Sequence, residues 1–111
     1  MVITNKTVGD VEVVALSGRI DAVTSFDLDT HLKELLAAGH TKMVADMAGV
    51  HYISSSGLRV LLGAYKECLN CPKGELKLAG IQPEVAQILD VTGFSKLLKT
   101  YETVEMAIEN F

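Results

Sequence analysis

Apolar positions change their spacing several times along this chain, and each change marks an element. Val11-Glu12-Val13-Val14-Ala15-Leu16 is a nearly continuous apolar run of strand length, which reads as a largely buried strand. The Gly9-Asp10 pair ahead of it predicts a tight turn from a first strand at residues 2–8, because such pairs suit short hairpin loops. Leu28, Leu32, Leu35 and Leu36 then recur at helical spacing until Gly39. Thr24 or Ser25 is the expected N-cap of that helix, with Asp27 and Asp29 suited to its positive end. A second apolar run at 42–48, with Asp46 inside it, predicts a third strand. Leu58, Leu61, Leu62, Tyr65 and Leu69 return to helical spacing, bounded by Asn70 and Pro72.

Leu76-Lys77-Leu78-Ala79 alternates as a short strand does and ends at Gly80. Pro83 suits the first turn of the next helix, which carries Val85, Ile88 and Leu89 on one face and stops at Gly93. Phe94, Leu97, Leu98 and Tyr101 predict a last strand, and Thr103 caps a final helix with Val104, Ala107, Ile108 and Phe111. The order is β-β-α-β-α-β-α-β-α. One hairpin followed by alternating units implies an α/β fold: a mixed, mostly parallel sheet of about five strands, with four helices packed largely on one side.

Composition narrows the function. A chain of 111 residues that is 49% hydrophobic builds one domain, spanning 1–111, with a single main core. A net charge of −4 and scattered basic residues provide no stripe with which to grip a phosphate backbone, so no nucleic-acid partner is expected. Met1-Val2-Ile3-Thr4-Asn5-Lys6 lacks the charged and apolar regions of a signal peptide. No apolar run approaches the ~20 residues of a membrane span, and a cytoplasmic location is expected.

The densest chemistry lies in Tyr52-Ile53-Ser54-Ser55-Ser56-Gly57-Leu58. One serine suffices to cap a helix. Three in a row, followed by a glycine that permits close approach, suggest an exposed hydroxyl site at a helix N-terminus. A negative charge added there is stabilised by roughly 0.3–1 kcal/mol, so phosphate is the natural modification.

Gly18-Arg19-Ile20-Asp21, Val44-Ala45-Asp46-Met47 and Tyr52 through Leu62, with Gly74-Glu75-Leu76-Lys77-Leu78 and Val91-Thr92-Gly93-Phe94 downstream, together resemble the STAS domain. Within it, the chain is similar to single-domain anti-sigma factor antagonists along essentially its whole length. The resemblance implies a regulatory binding module rather than an enzyme. It implies docking, in the unphosphorylated form, to an anti-sigma factor that is also a serine kinase, and release of a sigma factor. Phosphorylation then ends docking, and a serine phosphatase restores it. Ser55 falls at the phosphorylated position, with Ser56 second, and Ser54 stands where the family usually has an aspartate. The implied partner-facing residues are Asp21, Ser54, Ser55, Ser56, Gly57 and Arg59. Because Ser54 departs from the pattern, a STAS scaffold or regulatory subunit without a phosphoserine cycle is the alternative.

Other candidates read as structure. Asp46 suits a strand-end carboxylate that accepts backbone N–H bonds. Cys68-Leu69-Asn70-Cys71 sits at a helix C-terminus, where the dipole does not favour a thiolate, so ordinary reduced cysteines are expected. His31, His40 and His51 lack metal-site spacing and read as loop or surface residues. No G-x-S-x-G elbow and no glycine-rich nucleotide loop with lysine appear. Neither a cofactor nor a metal is called for.

Overall fold

The computed structural model describes residues 1–111. Strands β1 (Val2–Val8) and β2 (Val11–Ser17) form an antiparallel hairpin, with Val8 opposite Val11 across Gly9-Asp10. Gly9 takes φ +63° in that turn, which glycine adopts without steric cost. The chain then alternates through α1 (Thr24–Ala37), β3 (Lys42–Gly49), α2 (Ser55–Leu69), β4 (Glu75–Ala79), α3 (Pro83–Thr92), β5 (Thr100–Tyr101) and α4 (Val104–Glu109). The five strands lie side by side in sequence order, and every pair after the hairpin is parallel. Parallel neighbours require a helix to carry the chain back across the sheet. The N-termini of α1, α2 and α3 therefore gather at one edge, beyond the C-terminal ends of the strands that precede them.

Strand alternation sorts the apolar side chains between two faces. On one, Val14, Leu16, Met43, Ala45, Met47, Leu76 and Leu78 pack against Leu28 and Leu32 of α1, Leu58 and Leu61 of α2, and Val85 and Leu89 of α3. The other carries a smaller cluster of Val11, Val44, Ala79 and Ala107 from α4. Three helices thus share one face, as expected, and only α4 crosses to the other.

Two charged side chains are drawn into this frame. Glu12 is 2% exposed and Lys77 1%, so each requires partners in place of water. Glu12 accepts bonds from Asn5 Nδ2 and Thr7 Oγ1, both at 2.5 Å, and lies 3.8 Å from His40 Nδ1. Burial pushes its carboxyl up, but the Thr7 and Asn5 bonds and the nearby His40 and His31 more than offset this and hold it below its usual range. Lys77 donates to the Asn110 carbonyl and sits 4.1 Å from the centre of the Phe111 ring, which ties the end of α4 to the sheet. Desolvation lowers its ammonium from the ordinary value.

Most element ends follow the sequence reading. Pro83 opens α3, Gly93 closes it at φ +81°, and Thr103 Oγ1 caps α4 by accepting from Met106 N at 3.1 Å. Two ends differ. Neither Thr24 nor Ser25 caps α1: the helix already includes both, and Asp21 supplies the oxygen that accepts its first N–H groups. Asp29 lies beyond the first turn and pairs with Lys33 at 2.8 Å. Phe94 begins a single 3-10 turn, Phe94–Lys96, and the last strand is only Thr100–Tyr101. Once Gly93 ends α3, tightening the chain by one turn keeps Phe94 against the core and buries Leu98.

Candidate functional site

Two loops are stitched together where α1 and α2 begin. Beyond β2, Gly18 N donates to the Gly49 carbonyl at 3.0 Å and Ile20 N to the Tyr52 carbonyl at 3.0 Å. Ser54 N donates back to the Ile20 carbonyl at 2.8 Å, completing an isolated parallel bridge between Ile20 and Ile53. The β2–β3 ladder is thereby prolonged past its strands, and Asp21 is fixed beside the serine turn.

The three serines are not equivalent. Ser54 is the N-cap of α2, with φ −84° and ψ 170°, and its Oγ accepts from Gly57 N at 3.2 Å. The same Oγ lies 2.8 Å from Ser56 Oγ, so the outer two hydroxyls share a hydrogen bond. Ser55, the first residue of the helix, is exposed. Its hydroxyl makes no hydrogen bond within the chain. No acidic residue occupies the first turn of this 15-residue helix, so none of its own side chains compensates its positive end.

Gly57 has a different part. It is buried, and a β-carbon built on it would lie 2.6 Å from Ile20 Cγ2 and 2.9 Å from Ile53 Cγ1. Both distances are shorter than real contacts allow. Glycine lets α2 begin directly against the two isoleucines that join the loops, so Gly57 shapes the surface without forming part of it.

Asp21 is half-buried and engaged. Its Oδ1 accepts from Thr24 N at 2.9 Å, Val23 N at 3.0 Å and Thr24 Oγ1 at 3.1 Å. The Thr24 backbone bond holds its carboxyl below the usual range, against desolvation and with help from the Thr24 hydroxyl, Val23 and Arg19. Arg59 is exposed on the second turn of α2. It borders a shallow groove of about 200 Å³ shared with Asp29 and Lys33 of α1 and Glu67 of α2.

Further surface residues join this group. The Arg19 guanidinium stacks 4.1 Å from the centre of the Tyr52 ring, linking the two loops on their outer side. Val23 and Phe26 are each 75% exposed where α1 begins. Phe26 lies off the Leu28-Leu32-Leu35 stripe in helical phase, and that is the signal by which the sequence marks it as outward-facing.

The remaining candidates fall into structural places. Asp46 Oδ1 accepts from Ala48 N at 3.1 Å, as a strand-end carboxylate should. Cys68 is buried and its thiol is pushed up to about 12, by burial first and then by Cys71 and Glu67, which leaves it unreactive. His31 lies on the surface side of α1, where its Nε2 meets Asn5 Oδ1 at 3.0 Å.

Residues 2–107 match the STAS domain family, and the chain belongs to that family. An anti-sigma F factor antagonist of Paenibacillus polymyxa is 31% identical over 91 residues, covering 81% of this chain and 77% of that protein. The solved structure of an anti-sigma factor antagonist from Mycobacterium paratuberculosis aligns with TM-score 0.87 at 24% identity, over 98% of this chain and 92% of that one. The unphosphorylated anti-sigma factor antagonist SpoIIAA aligns with TM-score 0.76 at 16% identity, over 98% of this chain and 96% of its own. The Bacillus cell fate determinant SpoIIAA in its phosphorylated form aligns with TM-score 0.75 at 19% identity, over 98% of both chains. These structural likenesses establish the shared fold. In addition, no helix is long and apolar enough to cross a membrane.

Proposed function

We propose that this STAS domain is an anti-sigma factor antagonist whose docking is switched off by phosphorylation of Ser55. The observation that carries the reading is the inequality among the serines: Ser54 and Ser56 bond each other, while the Ser55 hydroxyl stands exposed at an uncompensated helix N-terminus. The Paenibacillus relative is named as an anti-sigma F factor antagonist, and SpoIIAA, which shares the fold, has been solved in a phosphorylated form. The partner in this reading is an anti-sigma factor with serine kinase activity. A serine phosphatase reverses the modification.

The switch needs no refolding. The Ser55 oxygen attacks the γ-phosphorus of ATP, ADP departs, and the hydroxyl proton passes to a base of the kinase. The product carries about −1.5 to −2 charges near pH 7. The helix N-terminus tolerates that charge, whereas a partner surface fitted to a neutral hydroxyl does not. In this reading Asp21, Ser54, Ser56 and Arg59 share the docking face with Ser55, and the buried Gly57 lies beneath it. Ser56 is the second choice of acceptor, and its hydrogen bond to Ser54 makes it the less available.

A second reading is favoured by Ser54, which stands where the family usually has an aspartate: a scaffold or regulatory subunit with no phosphoserine cycle. Incubation with Mg-ATP and a soluble extract of the host, followed by phosphopeptide mapping, separates the two. The switch predicts phosphate on Ser55 and none on Ser55→Ala. An unmodified chain, in an extract whose kinases are demonstrably active, selects the scaffold.

A further inference from the structure

We infer that a phosphate on Ser55 is captured within the molecule by Arg59, so that one modification both adds negative charge to the docking face and withdraws a positive charge from it. This rests on the reading of Ser55 as the modified residue and concerns what the phosphate then does. Ser55 and Arg59 are four residues apart on the same helix, the spacing at which side chains lie one above the other. Side chains on a helix lean toward its N-terminus, so the long, unpaired arm of Arg59, which borders the α1–α2 groove with Glu67, is within reach of a phosphate added at Ser55. An anion placed N-terminal to a cation at this spacing is also the more stabilising order.

Arg59 is free for this role. Lys33 is held by Asp29 at 2.8 Å, Lys42 by Asp10 at 2.6 Å and Lys99 by Glu75 at 3.8 Å. Arg19 is stacked on Tyr52. The Arg59 guanidinium has no carboxylate within ion-pair distance and makes no hydrogen bond. The charges around it are Asp29 and Lys33 across the groove on α1, which are paired with each other, and Glu67 two turns further along α2. On the loop side, Asp21 is held by the Ile20 bridge to the serine turn, and its Oδ1 is already occupied by the start of α1.

Unphosphorylated, the chain presents Arg59 to a partner's acidic groups. Phosphorylated, it pairs that guanidinium internally through charge-assisted hydrogen bonds. The partner then loses a cation as well as meeting an anion.

The test installs phosphoserine at position 55 by genetic encoding, without any kinase, and follows the second phosphate ionisation by ³¹P NMR. Arg59→Gln is expected to raise that pKa by about 0.3 unit, the size of an exposed i,i+4 ion pair, and the difference is expected to shrink in 1 M salt. Lys66→Gln, which removes the same charge about three turns from Ser55 on the same helix, is expected to leave it unchanged. Equal pKa values with and without Arg59, or an equal shift from Lys66→Gln, overturn the capture. The partner's affinity for phosphorylated and unmodified chains is measured separately. Equal affinities there would sink the switch itself while leaving the capture standing, so the two failures are distinct.

Discussion

The N-termini of α1 and α2 lie side by side, joined through Ile20, yet they are finished in different ways. α1 begins on a carboxylate: Asp21 accepts the Val23 and Thr24 N–H groups and already places a negative charge at the positive end of the helix. α2 begins on hydroxyls: Ser54 caps it through Gly57 N, and no acid occupies its first turn. The first end is electrostatically complete and the second is not. Neutral capping holds the helix while leaving a place for charge to arrive, which makes α2 rather than α1 the end suited to a switch.

Breaking the joint between the two ends should have the largest effect. Gly57→Ala forces a β-carbon to within 2.6 Å of Ile20 Cγ2 and should cost about 1–3 kcal/mol of stability, the usual penalty of overpacking, read as a lower urea midpoint. Ser54→Ala removes the hydroxyl cap of α2 and strands the Ser56 hydroxyl, with an expected loss of about 1 kcal/mol by the same assay.

Asp21→Asn sharpens the electrostatic half of the comparison. The folded-state pKa of Asp21 is depressed, so its charge contributes stability above the unfolded carboxylate pKa, and that contribution disappears as pH falls through the lower folded value. Urea unfolding should therefore show the wild type more stable than Asp21→Asn near neutrality, with the gap closing in acid. A gap that widens in acid would contradict the assignment. The smallest effect belongs to Ser55→Asp. A negative charge at the open end of α2 should stabilise the fold by about 0.3–1 kcal/mol at low ionic strength, while Ser55→Ala stays within about 0.5 kcal/mol of wild type.

Much of this was legible because period and punctuation agree. The apolar run at 11–16, Leu28 and Leu32 of α1, Leu58 and Leu61 of α2, Pro83, Gly93 and Thr103 each serve a local rule, and the structure follows them. Leu69 departs from its rule, half exposed while Cys68 takes the buried place. What local rules could not reach depends on the path of the chain. Asp21 displaces Thr24 and Ser25 as the cap because the loop turns its carboxylate back onto the helix. Gly57 is required by Ile20, a residue of the preceding loop that sequence spacing does not place beside it. Lys77 alternates with Leu76 and Leu78 like any strand residue, and its burial follows from α4 and Phe111 covering the far face. The serine triplet was visible as a site, but the ranking of its hydroxyls required the Ser54–Ser56 hydrogen bond.

The most direct test of the account is the affinity of an anti-sigma factor bearing serine kinase activity for two forms of the chain, unmodified and with phosphoserine encoded at position 55, titrated by calorimetry under the same salt. Phosphorylation of Ser55 is expected to weaken binding about a hundredfold, the equivalent of ~3 kcal/mol. Equal affinity for the two forms would contradict it.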